Sequence, residues 1–123
     1  MLIHAPISLG ELFDKITILE LKKEHATDSK QLTNICFELD ELRQLRPEIG
    51  VRLGQLIVEL KDTNRILWDA EDQIRVLMRR DDYGSEFTQA TRVAHVTNDL
   101  RNRIKREINN ITGSAIVEEK LYY

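Results

Sequence analysis

The stretch LKDTNRILWDAEDQIRVLM, from Leu60 to Met78, decides the fold that the sequence predicts. Apolar residues recur in it at spacings of three and four, which is the period of an amphipathic helix. Two polar residues, Asn64 and Glu71, occupy core positions of this repeat. In order, the stripe consists of Leu53, Ile57, Leu60, Asn64, Leu67, Glu71, Ile74 and Met78. Because a buried polar group without a partner costs about 1–3 kcal/mol, both side chains are expected to meet partners on other helices.

Local signals place two shorter helices before this one. Ser8 and Glu11 have the spacing of a capping box, which predicts that a first helix starts after Ser8 and runs to about His25. Asp28 or Ser29 starts a second helix. This helix ends before Pro47, because the residue that precedes a proline is disfavoured in the helical region.

A third helix is predicted from about Pro47 to Arg80, and a fourth, capped by Ser85, reaches Thr112. Gly113 is suited to the left-handed conformation that ends many helices, and a short non-helical tail follows. The apolar stripe of the fourth helix is Val93, Leu100, Ile104, Ile108 and Ile111. Short connections and two long helices predict an all-α antiparallel bundle in which the third and fourth helices form a long hairpin.

Composition limits the classes of function. The 123 residues predict one domain over 1–123, and 32% charged with 41% hydrophobic residues is typical of a folded helical protein. The net charge is −3 without a basic face, so a nucleic-acid partner is not expected. No apolar run approaches the ~20 residues of a membrane span. The single cysteine, Cys36, excludes an internal disulfide, and without a signal-peptide pattern the expected location is the cytoplasm.

Polar side chains interrupt or border the apolar stripes of three helices and form a candidate binding ridge. Trp68 and Arg75 each follow a polar stripe position by four residues, and Arg75 is expected to pair with Glu71. The ridge predicts either a structural network or subunit contact, or a cleft where Glu71 and Arg75 converge with Lys15 and Lys105 on a small anion. The candidate residues are Lys15, Lys22, Asn64, Trp68, Glu71, Arg75, Asn98, Arg101 and Lys105.

One alternative uses a metal. Glu38, Glu41, Glu59 and Asp62 resemble the ExxE…ExxD signature of all-helical nucleotide pyrophosphohydrolases, which implies magnesium held by carboxylates. Within their own helices these four side chains point away from the apolar stripes, whereas a metal cluster needs carboxylates that converge between helices. Outside this alternative no cofactor is expected.

Segments along nearly the whole chain resemble an uncharacterised family of small all-helical bacterial and phage proteins. The resembling residues at the start and in the middle are Pro6-Ile7-Ser8, Gly10-Glu11, Asp14-Lys15, Thr17-Ile18-Leu19, Asn64, Leu67-Trp68, Glu71-Asp72 and Ile74-Arg75. Those near the end are Asn98-Asp99, Arg101, Ile104-Lys105, Ile108-Asn109, Gly113-Ser114, Ile116, Glu118-Glu119-Lys120 and Tyr122. The resemblance implies no known activity, but its pattern overlaps the polar ridge and adds the tail acids Glu118 and Glu119 as candidates.

The leading interpretation is a non-enzymatic helical protein that acts through protein contacts, as a homodimer with coiled-coil-like packing or with another protein. Long helices with heptad stripes support it. The alternatives are a small-anion-binding or catalytic bundle for sugar phosphates, nucleotides or di-acids, and the magnesium pyrophosphohydrolase.

Overall fold

A computed structural model describes residues 1–121 of the chain. Tyr122, one of the residues that carry the family resemblance, lies outside the described residues. The chain forms four helices: α1 (Leu9–His25), α2 (Ser29–Arg43), α3 (Val51–Arg79) and α4 (Ser85–Thr112). The predicted all-α bundle with a long hairpin and a non-helical tail is confirmed.

The helix starts follow local chemistry, with two corrections. The Ser8 hydroxyl accepts a hydrogen bond from the Glu11 amide at 3.2 Å, as the capping box predicts. Helix α3 begins at Val51 rather than at Pro47, because Gly50 is its N-cap and glycine near a helix start favours non-helical backbone. Likewise the N-cap of α4 is Gly84, so that Ser85, predicted as the cap, is the first helical residue.

Gly113 ends α4 in the left-handed conformation, with φ +67°, as predicted. The amide of Ser114 donates to the carbonyl of Asn109 at 2.9 Å, which satisfies one of the free carbonyls at the helix end. The tail then turns back along α4, where the guanidinium of Arg106 donates to the backbone carbonyl of Glu118 at 3.1 Å.

Helices α3 and α4 pack along each other as an antiparallel hairpin roughly 43 Å long. Helix α1 lies across the base of this hairpin and contacts all three other helices, whereas α2 packs on α1. Cross-helix pairs fix the directions: Gly10 meets Asn109, Asp14 meets Arg101, and Glu24 meets Arg65. Helix α1 therefore runs antiparallel to α4. It crosses α3, because from Asp14 to Glu24 its partner on α3 changes only from Asn64 to Arg65, and it ends well before the tip of the hairpin.

The core lies where α1 crosses the hairpin. Its largest fully buried apolar side chains are Phe13, Leu21, Leu39, Leu56, Leu60 and Ile108. The first half of the predicted α3 stripe is part of this core, but Met78 at its far end is 49% exposed, because α1 does not reach that far. The predicted α4 stripe is wrong at Leu100 and Ile111, which are exposed. Alanines at positions 90 and 94, together with Thr97, take the buried positions instead.

None of the helices over residues 1–121 combines the length and the apolar character that a bilayer span requires.

Candidate functional site

Helix α1 buries polar as well as apolar residues because it contacts three other helices. Leu12, Ile16 and Leu19 form its apolar face. A second buried face, three or four residues apart along the helix, consists of Gly10, Asp14, Thr17 and Leu21. This second face points toward α3 and α4, and it brings a carboxylate into the interior of the bundle.

Asp14 is the centre of a buried polar network. Its carboxylate accepts hydrogen bonds from Arg101 through Nε, at 2.9 Å, and through Nη2. Asn64 on α3 donates to Asp14 Oδ1 at 3.0 Å and to the Thr17 hydroxyl at 3.1 Å. The expectation that Asn64 turns inward and meets another helix is therefore confirmed. Arg101 is oriented further by its hydrogen bond to the side-chain carbonyl of Asn98 at 3.1 Å.

The protonation state of this network follows from its contacts. Burial raises the pKa of Asp14, but the hydrogen bonds and charge of Arg101, with help from Asn64 and Lys105, outweigh burial and leave that pKa below its ordinary value of 3.8. The hydrogen bond to Asp14 also raises the pKa of Arg101. At neutral pH the pair is therefore ionised on both sides.

Lys105 lies one turn further along α4 and faces three carboxylates. Its Nζ is 2.8 Å from Glu11, 3.5 Å from Glu118 and 3.8 Å from Asp14, while its side chain is only 7% exposed. Lys105 thus links the start of α1, the buried network and the C-terminal tail. A cation this deeply placed is stable only because the surrounding carboxylates compensate for its lost hydration.

A cleft of about 440 Å³ opens beside the network, where α1 ends against the hairpin. We refer to it as the Trp68 cleft. Its apolar wall consists of Ile18, Leu21, Leu67 and Trp68, and its polar wall of Lys22, Asn64, Glu71, Asp72, Arg75 and Arg101. Three cations and two carboxylates thus surround a partly apolar cavity, a combination typical of sites for small polar ligands.

The Trp68 cleft brings together most of the predicted ridge. Six of its nine members line the cleft: Lys22, Asn64, Trp68, Glu71, Arg75 and Arg101. The predicted convergence of Glu71 and Arg75 with Lys15 and Lys105 is wrong, because Lys105 is held among carboxylates on the far side of Asp14 and Lys15 is an exposed partner of Glu11 at 3.6 Å.

Three further candidates lie elsewhere. Asn98 supports Arg101 from outside the cleft lining. Glu118 contacts Lys105, and Glu119 is exposed.

The predicted pairing of Arg75 with Glu71 is also wrong, since Arg75 lies 3.6 Å from Asp72. Glu71 is half-buried and has no hydrogen bond or ion pair within the part of the chain that the structure describes.

Trp68 lines the cleft from α3. Its ring stacks on His25, with the two ring centres 4.6 Å apart. The Nδ1 of His25 donates to the carbonyl of Leu21 at 2.8 Å, which fixes the imidazole against α1. The indole N–H of Trp68 is buried without an acceptor among residues 1–121, an arrangement that costs stability.

The carboxylates of the ExxE…ExxD pattern do not converge. Glu38, Glu59 and Asp62 are exposed, and α2 packs on α1 rather than directly on α3. Over residues 1–121, no group of three or more His, Cys, Asp or Glu side chains is placed to hold a metal ion. Glu41, the fourth member, is half-buried on α2.

One protein family matches residues 3–123, nearly the entire chain. The chain belongs to DUF6165, a family of unknown function. The predicted membership of an uncharacterised family is confirmed, while the bacterial and phage origin stays a prediction. No curated protein and no solved structure matches the chain.

Sequence reasoning missed Asp14, the residue on which Arg101, Lys105 and Asn64 all converge. The available signal was its spacing: Asp14 lies three residues before Thr17 and seven before Leu21, so the three share one helix face. The spacing of Leu12, Ile16 and Leu19 indicates only one buried face on α1. When only one buried face is expected, an acid next to a lysine, as Asp14 is next to Lys15, is expected to be exposed to solvent.

Proposed function

We propose that the protein binds a small ligand with an anionic group in the Trp68 cleft. The observation that supports this best is the meeting of six ridge residues from three helices around one cavity. A purely structural network needs no cavity, and the Asp14 network is already satisfied by its own partners without the outer residues Lys22, Glu71 and Arg75.

The lining indicates the chemistry of the ligand. Arg75 and its partner Asp72 are 60% and 59% exposed and 3.6 Å apart, a weak pairing that an incoming phosphate or carboxylate can replace. Lys22, which lies on α1, is the second exposed cation of the cleft. The carboxylate of Glu71 accepts hydrogen bonds from a ligand hydroxyl or amine. Sugar phosphates, nucleotides and small di-acids combine these features, and no reaction is assigned to the site.

Binding is tested by titrating sugar phosphates, nucleotides and di-acids at millimolar concentration, first by thermal shift and then by calorimetry. Lys22→Ala with Arg75→Ala removes both exposed cations, and Lys23→Ala with Arg79→Ala is the matched control, since neither residue lines the cleft. The first pair is expected to weaken binding at least tenfold, or about 1.4 kcal/mol, and the control to leave it unchanged. No ligand in the whole set, or equal losses in both pairs, contradicts the proposal.

A second candidate function is self-association through the far half of the α3 stripe. Helix α1 ends beside Trp68 and does not cover the far part of the stripe, where Ile74 is half-buried and Met78 is 49% exposed. A helix from a second copy would bury them in the way α1 buries Leu60. This is the homodimer that the heptad repeat predicts.

The dimer is tested by light scattering over a wide concentration range. Met78→Glu is expected to shift the protein to the monomer, whereas Val58→Glu, an exposed apolar residue on the same helix but outside the stripe, is expected to leave the mass unchanged. A monomer at every concentration contradicts this second proposal. It does not contradict the proposed ligand binding in the Trp68 cleft.

A further inference from the structure

The C-terminal tail encloses a second, smaller pocket against the last turns of α4. After Gly113 the chain reverses, and the hydrogen bond from Arg106 to the Glu118 carbonyl holds it in place. The enclosed volume is about 270 Å³. We refer to it as the tail pocket. It shares no lining residue with the Trp68 cleft, and the Asp14 network lies between the two.

The walls of the tail pocket are cationic and rich in amides. Among the described residues its lining includes Lys105, Arg106, Lys120 and the carboxylate of Glu118, and Lys105 is also paired with Glu11 and Asp14 behind the pocket. Three asparagine side chains of α4, at positions 102, 109 and 110, add polar groups that donate hydrogen bonds. Arg106 has no carboxylate partner among residues 1–121, and a concave surface where such a guanidinium stands beside neutral donors is suited to an oxyanion.

The chain itself places an anion in this pocket. The carboxylate of Glu118 lies 3.5 Å from Lys105 and also contacts Lys120. The hydrogen bond from Lys120, aided by the charge of Lys105, holds the pKa of Glu118 below its ordinary value. The surroundings therefore stabilise negative charge at a position that a free anion can share or take over.

We propose that the tail pocket binds a phosphate-sized oxyanion, with the Arg106 guanidinium as its principal ligand. A guanidinium carries five N–H donors in a planar fork, and the Glu118 carbonyl uses one of its nitrogens. The remaining donors suit bidentate contact with phosphate. The asparagine amides supply neutral contacts, and Glu118 acts as an internal competitor for the anion.

The asparagine amides also report on the site. Inorganic phosphate is added to ¹⁵N-labelled full-length protein at constant ionic strength, so that screening does not change. The side-chain amide signals of Asn102, Asn109 and Asn110 are expected to shift and to saturate. The signals of Asn34 and of the Trp68 indole, which lie outside the pocket, are expected to stay in place.

Two matched pairs of variants test the roles of the charges. Arg106→Gln is expected to weaken phosphate binding about tenfold, whereas Arg103→Gln, one turn earlier and outside the pocket, leaves it unchanged. Glu118→Gln is expected to tighten phosphate binding several-fold by removing the competing charge. Glu119→Gln, exposed and outside the lining, has no effect. The substitution at position 118 retains the hydrogen bond from Arg106, because that bond is to the backbone carbonyl.

Several results would overturn the proposal. The proposal is overturned if the three asparagine signals stay in place with tens of millimolar phosphate, or if Arg103→Gln weakens binding as much as Arg106→Gln does. Unchanged or weaker binding in Glu118→Gln removes the assigned position of the anion. Shifts confined to Asn64 and the Trp68 indole place the anion in the Trp68 cleft, which supports the proposed function and rejects the tail pocket.

Discussion

The two halves of the α3–α4 hairpin are held together by different means. At the base, residues 51–68 and 98–112, α1 covers the hairpin with large apolar side chains and with the Asp14 network. At the tip, residues 70–79 and 85–97, α3 and α4 pack on each other and bury Leu77 together with small side chains such as Ala70, Ala90 and Ala94. The base therefore combines a core shared by several helices with specific polar pairs, whereas the tip depends on apolar contacts between two helices.

This difference explains where the proposed binding cleft lies. The Trp68 cleft opens at the step where α1 ends and the three-helix base becomes a two-helix tip. One wall of the cleft is rigid, because the Asp14 network holds Asn64 and Arg101 in place. The outer groups, Arg75 and Glu71, belong to the less constrained tip side. A site built in this way joins preorganised groups to groups that can adjust to a ligand.

The largest expected effect comes from breaking the network at the base. Asp14→Asn keeps the shape of the side chain but leaves Arg101 and Lys105 without their shared charge partner. Removing one member of a buried ion pair costs about 3–5 kcal/mol, and the lower end is expected because Arg101 is 23% exposed. Urea denaturation measures the loss.

Asp69→Asn is the matched control, since Asp69 is an exposed carboxylate of the same hairpin that lies outside the base and outside the Asp14 network. Its effect is expected to stay within about 0.5 kcal/mol. Equal effects of Asp14→Asn and Asp69→Asn would show that the network does not distinguish the base from the tip.

The next effect tests the close approach of α1 to α4. A Cβ on Gly10 would lie 2.5 Å from the carbonyl oxygen of Lys105 and 2.7 Å from the side chain of Asn109, which accepts from the Gly10 amide. Because the first neighbour is backbone, Gly10→Ala must displace α1 and is expected to cost about 1–3 kcal/mol. Gly54→Ala, whose Cβ meets only Ile49 at 3.6 Å, is expected to stabilise by about 0.5–1 kcal/mol.

Thermal or urea unfolding measures whether each glycine variant raises or lowers the free energy of unfolding. Opposite signs support a base in which α1 and α4 touch at Gly10. A Gly10→Ala protein as stable as the parent would mean that the helices can separate freely at this point.

The architecture is predictable from the sequence because its signals are local. Ser8 begins α1 and Gly113 ends α4 by capping and backbone preferences that act within a few residues. The α3 start was misplaced by four residues, since a proline suited to the first turn competed with Gly50. The α4 stripe failed for a related reason: alanine carries little hydrophobic signal, although it is the residue that lets two helices approach closely at the tip.

The candidate site was predictable in part. Spacing identified the inward position of Asn64 and the edge positions of Trp68 and Arg75, because these depend on one helix only. The separation of Lys105 from Arg75 follows from the predicted hairpin, because Arg75 lies close to the turn between α3 and α4 and Lys105 lies far beyond it. The position of the cleft was not predictable, since it depends on how far α1 reaches along the hairpin. The length of a helix does not specify where along its neighbours it packs.

A smaller effect is expected from acid. The folded pKa of Asp14 lies below the ordinary 3.8, so its stabilising contribution is complete above that pH and is lost as the pH falls through the folded pKa. The difference in unfolding free energy between the parent and Asp14→Asn should therefore shrink below pH 3.8, because a protonated Asp14 resembles asparagine. Urea titrations from pH 5 to pH 2 measure this, and a constant difference would reject Asp14 as the ionised centre of the network.

The smallest effect is expected from a carboxylate–guanidinium pair that, unlike Asp14 and Arg101, is exposed to solvent. Arg65 donates to Glu24 at 2.7 Å, yet both side chains are more than 40% exposed. Water solvates both ions in the folded and the unfolded chain, so that their attraction adds little. Glu24→Gln is therefore expected to leave the urea midpoint unchanged within error. A midpoint shift close to that of Asp14→Asn would mean that burial beneath α1 is not what gives the base its strength.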